Sequence, residues 1–459
     1  MVRVGWIVVM GAVAAVAACN TPRGGGGDGA SRRMAGPIGH VIIVTVDGMM
    51  PDVLNDPDGL GLKTPTLRAL VAGGALASGA RSVLPSVTYP AHATIATGVE
   101  PGRHGIVSNR APDPAYANLD GWRWYAEDLK AEPLWERVEK AGGHAALVNW
   151  PVTVGARVAF NVPELWRAGT REDQKLVRAL ATPGVLDAVA ARFPGFWDRF
   201  LPPNVTDEAG VDVAVHAIET VKPAVLFLHV WQTDDAEHES GPHSAEALAA
   251  FERVDGQIAR LVEAAKRAGT WEDTVIVVTS DHGFAPIERD VRLGALLVEE
   301  GVFVPDAKGR VAAAPVRVMS DGGMATVYAE GAGSERALAK LRARLGREPW
   351  VGRILEAPEV ARLGGDPNVA FAIEPVLGTI FDGGLTGPVS RARVGGGHGW
   401  SPERPEMRAS FLASGPKIVG GQKLGLVALV DVAPTVGAWL GVVVAGADGR
   451  VLPVKLAEP

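Results

Sequence analysis

The run His40-Val41-Ile42-Ile43-Val44-Thr45-Val46, closed by Asp47-Gly48, decides the fold class. It is β-branched almost throughout and lacks polar alternation, the pattern of a strand buried on both faces of a parallel sheet. Two further runs share it. Ala224-Val225-Leu226-Phe227-Leu228-His229-Val230 leads into Gln232-Thr233-Asp234-Asp235, and Thr274-Val275-Ile276-Val277-Val278-Thr279 leads into Ser280-Asp281-His282-Gly283. Between the runs lie stretches with apolar positions three to four apart. Pro65 to Ala72 and Pro133 to Ala141 each precede a Gly-Gly pair, and Ser244 to Ala268 stops at Gly269. Strands alternating with helices predict an α/β fold, a doubly wound, mostly parallel sheet flanked by helices. Ligands gather at the carboxyl ends of such strands. Three strands that each run into an aspartate therefore point to one site.

Outward from these strands, residues 39–445 are expected to form one large domain, followed by a C-terminal tail, 446–459. Ala313 to Val389 is rich in Gly and Pro and is expected to be an irregular small subdomain or insertion. Arg408 to Gly415 is predicted as a returning strand and Leu426 to Leu440 as a closing helix. The chain has 459 residues, 47% hydrophobic and 21% charged, which fits a globular protein with a substantial core rather than a disordered one. A net charge of −7 provides no basic footprint for nucleic acid. An acidic protein that binds an anionic substrate needs local compensation, and metal ions are one way to supply it.

Residues 1–18 have the anatomy of a secretory signal: Arg3, then an apolar run from Trp6 to Ala18 that is short for a bilayer span. The run ends in Val16-Ala17-Ala18-Cys19, which resembles the lipobox of bacterial lipoproteins. On that reading Cys19 is lipidated and the chain is exported, anchored on the periplasmic face of the outer membrane; the alternative is an ordinary signal peptide. Cys19 is the only cysteine, so no disulfide within the chain and no catalytic or zinc-binding thiol is expected. Residues 19–38, with Gly24 to Gly27, are expected to be a flexible tether.

The polar positions come next. Asp281-His282-Gly283 offers carboxylate oxygen and imidazole nitrogen, both accepted by zinc, although an aspartate there also suits a helix cap. Asp234 and His238 share a face if helical; a solvated acidic loop is the alternative. Gly395-Gly396-Gly397-His398-Gly399 gives up packing area, and its return is close backbone approach to something. Asp47 stands at a strand end like Asp281. His40, His144, His216, His229, His92 and His104 lie in apolar or turn contexts and are expected to be structural. Pro85-Ser86-Val87-Thr88-Tyr89-Pro90 places hydroxyls ahead of an Ala/Thr helix, whose N-terminus suits a phosphate, or simply a cap. A threonine hydroxyl needs a base or a metal to act as a nucleophile. No Ser-His-Asp arrangement is evident, whereas Asp and His clusters are plentiful, so the metal route is preferred.

Taken together, Val46-Asp47-Gly48, Pro85 to His92, Thr97-Gly98, Pro101 to Ile106, Asp234 with His238 and Gly241-Pro242, Asp281-His282-Gly283 and Gly397-His398-Gly399 resemble the nucleotide pyrophosphatase/phosphodiesterase branch of the alkaline phosphatase superfamily. The resemblance implies an alkaline-phosphatase-like catalytic domain and two zinc ions per chain. Asp47, Thr88, Asp281 and His282 would hold one ion, Thr88 doubling as nucleophile. Asp234, His238 and His398 would hold the other, and Asn109 would donate to a phosphoryl oxygen. The implied activity is hydrolysis of phosphate diester or pyrophosphate bonds, nucleotide-like or otherwise, through a phosphothreonine.

The chain departs from the family pattern at Ala91, where Asn is common, and at Val152-Thr153 after Trp150-Pro151. Residues 147–153 carry no Lys or Arg for a monoester's extra charge, which favours diesters, with a phosphomonoesterase or a non-catalytic binding lipoprotein as the alternatives. A sulfatase would need a modifiable Cys or Ser in a context that Thr88 lacks. Trp122, Trp124, Tyr125 and Trp150 are candidates to stack a base, or simply core packing.

Overall fold

The computed structural model describes residues 34–113, 121–165, 172–200, 206–311 and 314–458. Their strands, in chain order, are β1 (His40–Val46), β2 (Gly74–Arg81), β3 (Ala145–Val148), β4 (Phe160–Val162), β5 (Val225–Val230), β6 (Thr274–Thr279), β7 (Ala285–Arg292), β8 (Val316–Asp321), β9 (Met324–Ala329), β10 (Val351–Glu356), β11 (Phe371–Pro375), β12 (Thr379–Asp382), β13 (Ser390–Gly397), β14 (Phe411–Ser414) and β15 (Gln422–Ala428). Eight form the central sheet in the order β15-β2-β14-β6-β1-β5-β3-β4, parallel except for β14. The three strands expected from sequence stand side by side in register, Thr45 opposite both His229 and Thr279.

Both faces of these strands are covered, as their unbroken apolar runs require. Ile42, Val44 and Val46 join the core on one face with Leu226, Leu228, Ile276 and Val278. Val41 and Ile43 join the other with Val225, Phe227, Val275 and Val277. Helices Pro65–Ala72, Asp207–Thr220 and Ala245–Arg267 contribute to the first core, and Thr88–Thr97, Leu134–Lys140 and Val432–Leu440 to the second. Each fully buried Val, Leu or Ile contributes about 1.5–3 kcal/mol. Ser244 caps the longest helix, its hydroxyl accepting from Ala247 N at 3.2 Å.

Four expectations need correction. Leu426 to Leu440 is not one helix: β15 pairs in parallel with β2 at the sheet edge, and the helix begins only at Val432. A short apolar run does not distinguish strand from helix, and here the free edge of β2 took it. The segment after 313 is more regular than its composition suggested. Strands β10-β11-β9-β8 form an antiparallel sheet, with Leu341 and Leu345 of the helix Ser334–Leu345 packed in its core. The tether gives way to packed chain before residue 38, since Ile38 is buried and its N–H donates to Trp439 O. At the other end, 446–458 folds back on the body, Val419 N donating to Lys455 O and Asp448 pairing with Arg103. The signal segment and Cys19 lie outside the described residues.

His104 is buried between helices. Its Nδ1 accepts from Ile106 N at 3.1 Å and its other nitrogen lies 2.9 Å from the Thr94 hydroxyl. Burial lowers its pKa from the usual 6.5 to about 3. The unfolded chain therefore binds the proton first, so stability is intact above about pH 6.5 and is lost as pH falls toward 3. By pH 5 this one group is worth about 2 kcal/mol. His104→Gln should flatten the acid-side fall of the melting temperature between pH 6.5 and 5; an unchanged slope would count against this assignment.

Candidate active site

Asp47 follows β1, Asp281 follows β6, and Asp234 with His238 sits on the helix Gln232–Ser240 directly after β5. Because these strands are parallel and adjacent, all three ends open at one place. His398 arrives from β13. The glycines before it let that strand press on the helix: a Cβ on Gly395 (φ +132°) would stand 2.2 Å from His238 O. The partner of this close approach is thus the helix that carries Asp234 and His238.

Each anchor uses one atom and leaves another bare. Asp281 Oδ1 accepts from Gly48 N at 3.2 Å and His282 N at 3.0 Å, while Oδ2 has no hydrogen-bond partner. Asp47 Oδ2 meets His229 Nε2 at 3.0 Å, while Oδ1 is unpartnered, as is Asp234 Oδ1. His238 donates Nδ1–H to Gly396 O and His398 donates Nδ1–H to Ser86 O, both at 3.0 Å. Their Nε2 atoms then face each other at 3.2 Å as bare lone pairs. His282 Nε2 lies 3.3 Å from Asp47 Oδ1 and 3.2 Å from Asp281 Oδ2, and its ring stacks on His398 at 3.6 Å. His398 Nε2 also lies 3.6 Å from Asp234 Oδ1.

Burial, then the neighbouring carboxylates Asp281 and Asp234, raise the pKa of Asp47 well above the usual range. Burial raises Asp234 to about 7 and holds His282 and His398 well below the ordinary histidine value, as neutral ligands must be. Crowded carboxylates and opposed imidazole lone pairs repel without a cation among them. The donor set, oxygen and imidazole nitrogen, suits zinc. Two overlapping groups could hold an ion, Asp47/Asp281/His282 and Asp234/His282/His398, with His282 in both.

Thr88 is the first residue of its helix and is buried. The turn before it touches one of these groups, and its own carbonyl is held by His92. Ser86 O receives the His398 proton, and Thr88 O accepts from His92 Nδ1 at 2.8 Å. Asn109 Oδ1 accepts from Tyr89 N at 2.8 Å, which leaves its NH₂ to point elsewhere. Val87, Asn109, His238 and His398 line one cavity of about 370 Å³. Asp235 is exposed and contributes no atom to either group.

Several participants escaped the sequence reading. His229, expected to be structural, is clamped between Asp47 and Glu164, whose Oε2 lies 2.6 Å from Nδ1. Burial opposes its charge, but Glu164 and Asp47 override this and raise its pKa well above normal. His92 accepts from the Thr45 hydroxyl at 2.8 Å and so fastens β1 to the Thr88 turn. The signal available in sequence was a histidine inside a strand core, where only a buried partner repays the polarity. Trp150 leaves the set of stacking candidates, being fully buried between His92 and Phe227. Trp122 stays, lining the cavity beside Tyr89. Ala91 is buried in the core, away from the cavity. Positive charge missing from 147–153 reaches the cavity wall through Arg110 and Arg393.

The fold is that of solved ectonucleotide pyrophosphatase/phosphodiesterases. The murine family member 5, an inactive threonine-to-alanine variant in complex with AMP, superposes with TM-score 0.65 at 19% identity, covering 90% of this chain and 97% of that one. The family profile for type I phosphodiesterase / nucleotide pyrophosphatase matches residues 41–354, so the chain belongs to that family. Curated relatives include the bovine bis(5'-adenosyl)-triphosphatase ENPP4, 22% identical over 405 residues, 87% of this chain and 78% of that protein. Human family member 1 is 24% identical over 249 residues, and the match spans 23% of its length.

Outer carboxylates and carbonyls that orient metal-ligating groups typically control affinity by about 10–100-fold. Glu164→Gln should therefore weaken zinc binding, measured against a chelator, by about tenfold or more, with the fold intact by circular dichroism. Equal affinity in the variant would leave the Glu164–His229–Asp47 chain without that role.

Proposed function

We propose that this chain hydrolyses phosphate diester or pyrophosphate bonds with Thr88 as nucleophile and two zinc ions in its site. One observation carries the reading: buried carboxylates and neutral imidazoles turn bare donor atoms toward two overlapping positions, and one of those imidazoles bonds Ser86 O, two residues before Thr88. The relatives' names support it, as does the loss of activity stated for a threonine-to-alanine variant of the murine protein that holds AMP.

Asp47, Thr88, Asp281 and His282 would hold one ion, and Asp234, His238 and His398 the other. Zinc bound there supplies Lewis-acid stabilisation of oxygen charge on both sides of the phosphorus. In the first step the Thr88 oxygen bonds to phosphorus and the bond to the leaving oxygen breaks. In the second, water attacks the same phosphorus and the Thr88 oxygen departs, its proton restored. The Thr88 N–H, free at the first helical position, and the Asn109 NH₂ donate to a non-bridging oxygen. The guanidinium groups in the cavity wall favour substrates with more charge than a simple diester, so a phosphomonoesterase is the second reading.

Export and lipid anchoring at Cys19, at the periplasmic face of the outer membrane, are also proposed on the sequence Val16 to Cys19. Among the described residues no helix is long and apolar enough to cross a membrane. Cys19→Ser should abolish incorporation of labelled fatty acid; continued labelling would remove the anchor.

Thr88→Ala should lower turnover by about three orders of magnitude or more while zinc content stays near two per chain. Near-normal turnover in that variant would remove the nucleophile. A bis-aryl phosphate diester should be cleaved faster than the matching monoester, and the reverse order would favour the second reading.

A further inference from the structure

Strand β13 is interrupted just before it reaches the site. Its pairing with β7 passes from Ala392 opposite Arg289 to Gly395 opposite Ile287, so one extra residue is accommodated and Arg393-Val394 bulges outward. Bulges of this kind re-aim side chains and cluster beside active sites. Val394 is 88% exposed, and the exposed Arg393 lines the same cavity as His238 and His398. Two residues further on, Gly395 abuts the carbonyl of His238. Two residues span at most about 7 Å of chain, so the bulge stands at short and defined range from the ligand helix.

The other charges nearby are engaged. Arg391 donates to the buried Asp290 at 2.7 Å, and Asp382, in the same cavity wall, lies 3.8 Å from both Arg391 and Arg292. Asp321 accepts from the Ser108 hydroxyl at 2.7 Å through Oδ1, its Oδ2 being buried without a hydrogen bond, and Arg110 lies over the Trp122 ring at 5.8 Å. Arg393 makes no ion pair or hydrogen bond among the described residues. A planar guanidinium without a carboxylate, held at the wall of an anion-processing cavity, matches phosphate oxygens in bidentate fashion.

We infer that Arg393 receives the phosphoryl group adjoining the one attacked, so that the cavity selects pyrophosphate-linked substrates over simple diesters. The inference rests on the proposed hydrolytic site for the identity of the attacked group, and its binding readout does not depend on turnover. A charge-assisted contact of this type corresponds to about 10–100-fold in affinity or kcat/KM.

The test compares zinc-loaded full-length protein with its Arg393→Ala and Arg393→Lys variants, all melting at the same temperature. Three substrates are used: bis(p-nitrophenyl) phosphate, p-nitrophenyl phosphate and diadenosine triphosphate. A methylene-bridged nucleoside diphosphate analogue and the corresponding monophosphate serve as binding probes. Arg393→Ala should lower kcat/KM for diadenosine triphosphate about tenfold or more and leave the diester and monoester within about twofold. It should weaken the diphosphate analogue similarly, spare the monophosphate, and be partly rescued by Arg393→Lys. Equal losses on all substrates, or on the monoester alone, would overturn the assignment, as would an unchanged affinity for the diphosphate analogue. A wild-type protein that cleaves none of the substrates defeats the hydrolytic reading instead, and the binding comparison then decides Arg393 by itself.

Discussion

Three aspartates and three histidines are packed so that atoms able to bind a cation face one another. An unpartnered buried carboxylate costs on the order of several kcal/mol, and two imidazole lone pairs at 3.2 Å repel. Such an arrangement persists only if folding of the surrounding sheet over-determines it, and a bound cation would relieve it. The rest of the molecule can be understood as the scaffold that keeps this set together. The central sheet supplies three adjacent parallel ends, and apolar cores on both faces hold those ends in register.

The remaining contributions arrive by close backbone approach. Gly48, at φ +74°, leaves room for the carboxyl of Glu237, which a Cβ would meet at 2.6 Å. Gly395 lets β13 lie on the helix after β5 and delivers His398 from the far end of the sequence. Behind these, hydrogen bonds direct each ligand. Gly396 O and Ser86 O take the Nδ1 protons of His238 and His398, and His229 takes one oxygen of Asp47. These three orienting partners each belong to a different stretch of chain from the group they orient, so the site and the tertiary fold stand or fall together.

The family and the scaffold are shared with proteins of about 20% identity. The Asp47 support runs through a histidine inside β5 to Glu164 after β4. The antiparallel sheet and the β7–β13 pair bring Asp321, Asp382 and the arginines to the cavity. These elements shape the surroundings of the site, and the donor set beneath them would decide its chemistry.

From sequence alone the parallel core was legible, because strands buried on both faces must be apolar without alternation. Asp47, Asp234, His238, Asp281, His282 and His398 were legible as a set through the resemblance their motifs carry together, since each pair taken alone also suits a helix cap or a solvated loop. The β15 edge, the antiparallel sheet after 313 and the packed terminus were not, because short apolar runs and Gly-rich chain carry no period that separates strand from helix or loop. His229, His92 and Glu164 were hidden for a different reason: their partners lie 47 to 182 residues away, and only tertiary structure makes a core histidine and a distant carboxylate neighbours. The charge on the cavity wall was likewise undecided until β13 bulged. A one-residue slip in pairing changes where an arginine points without changing anything in the local sequence.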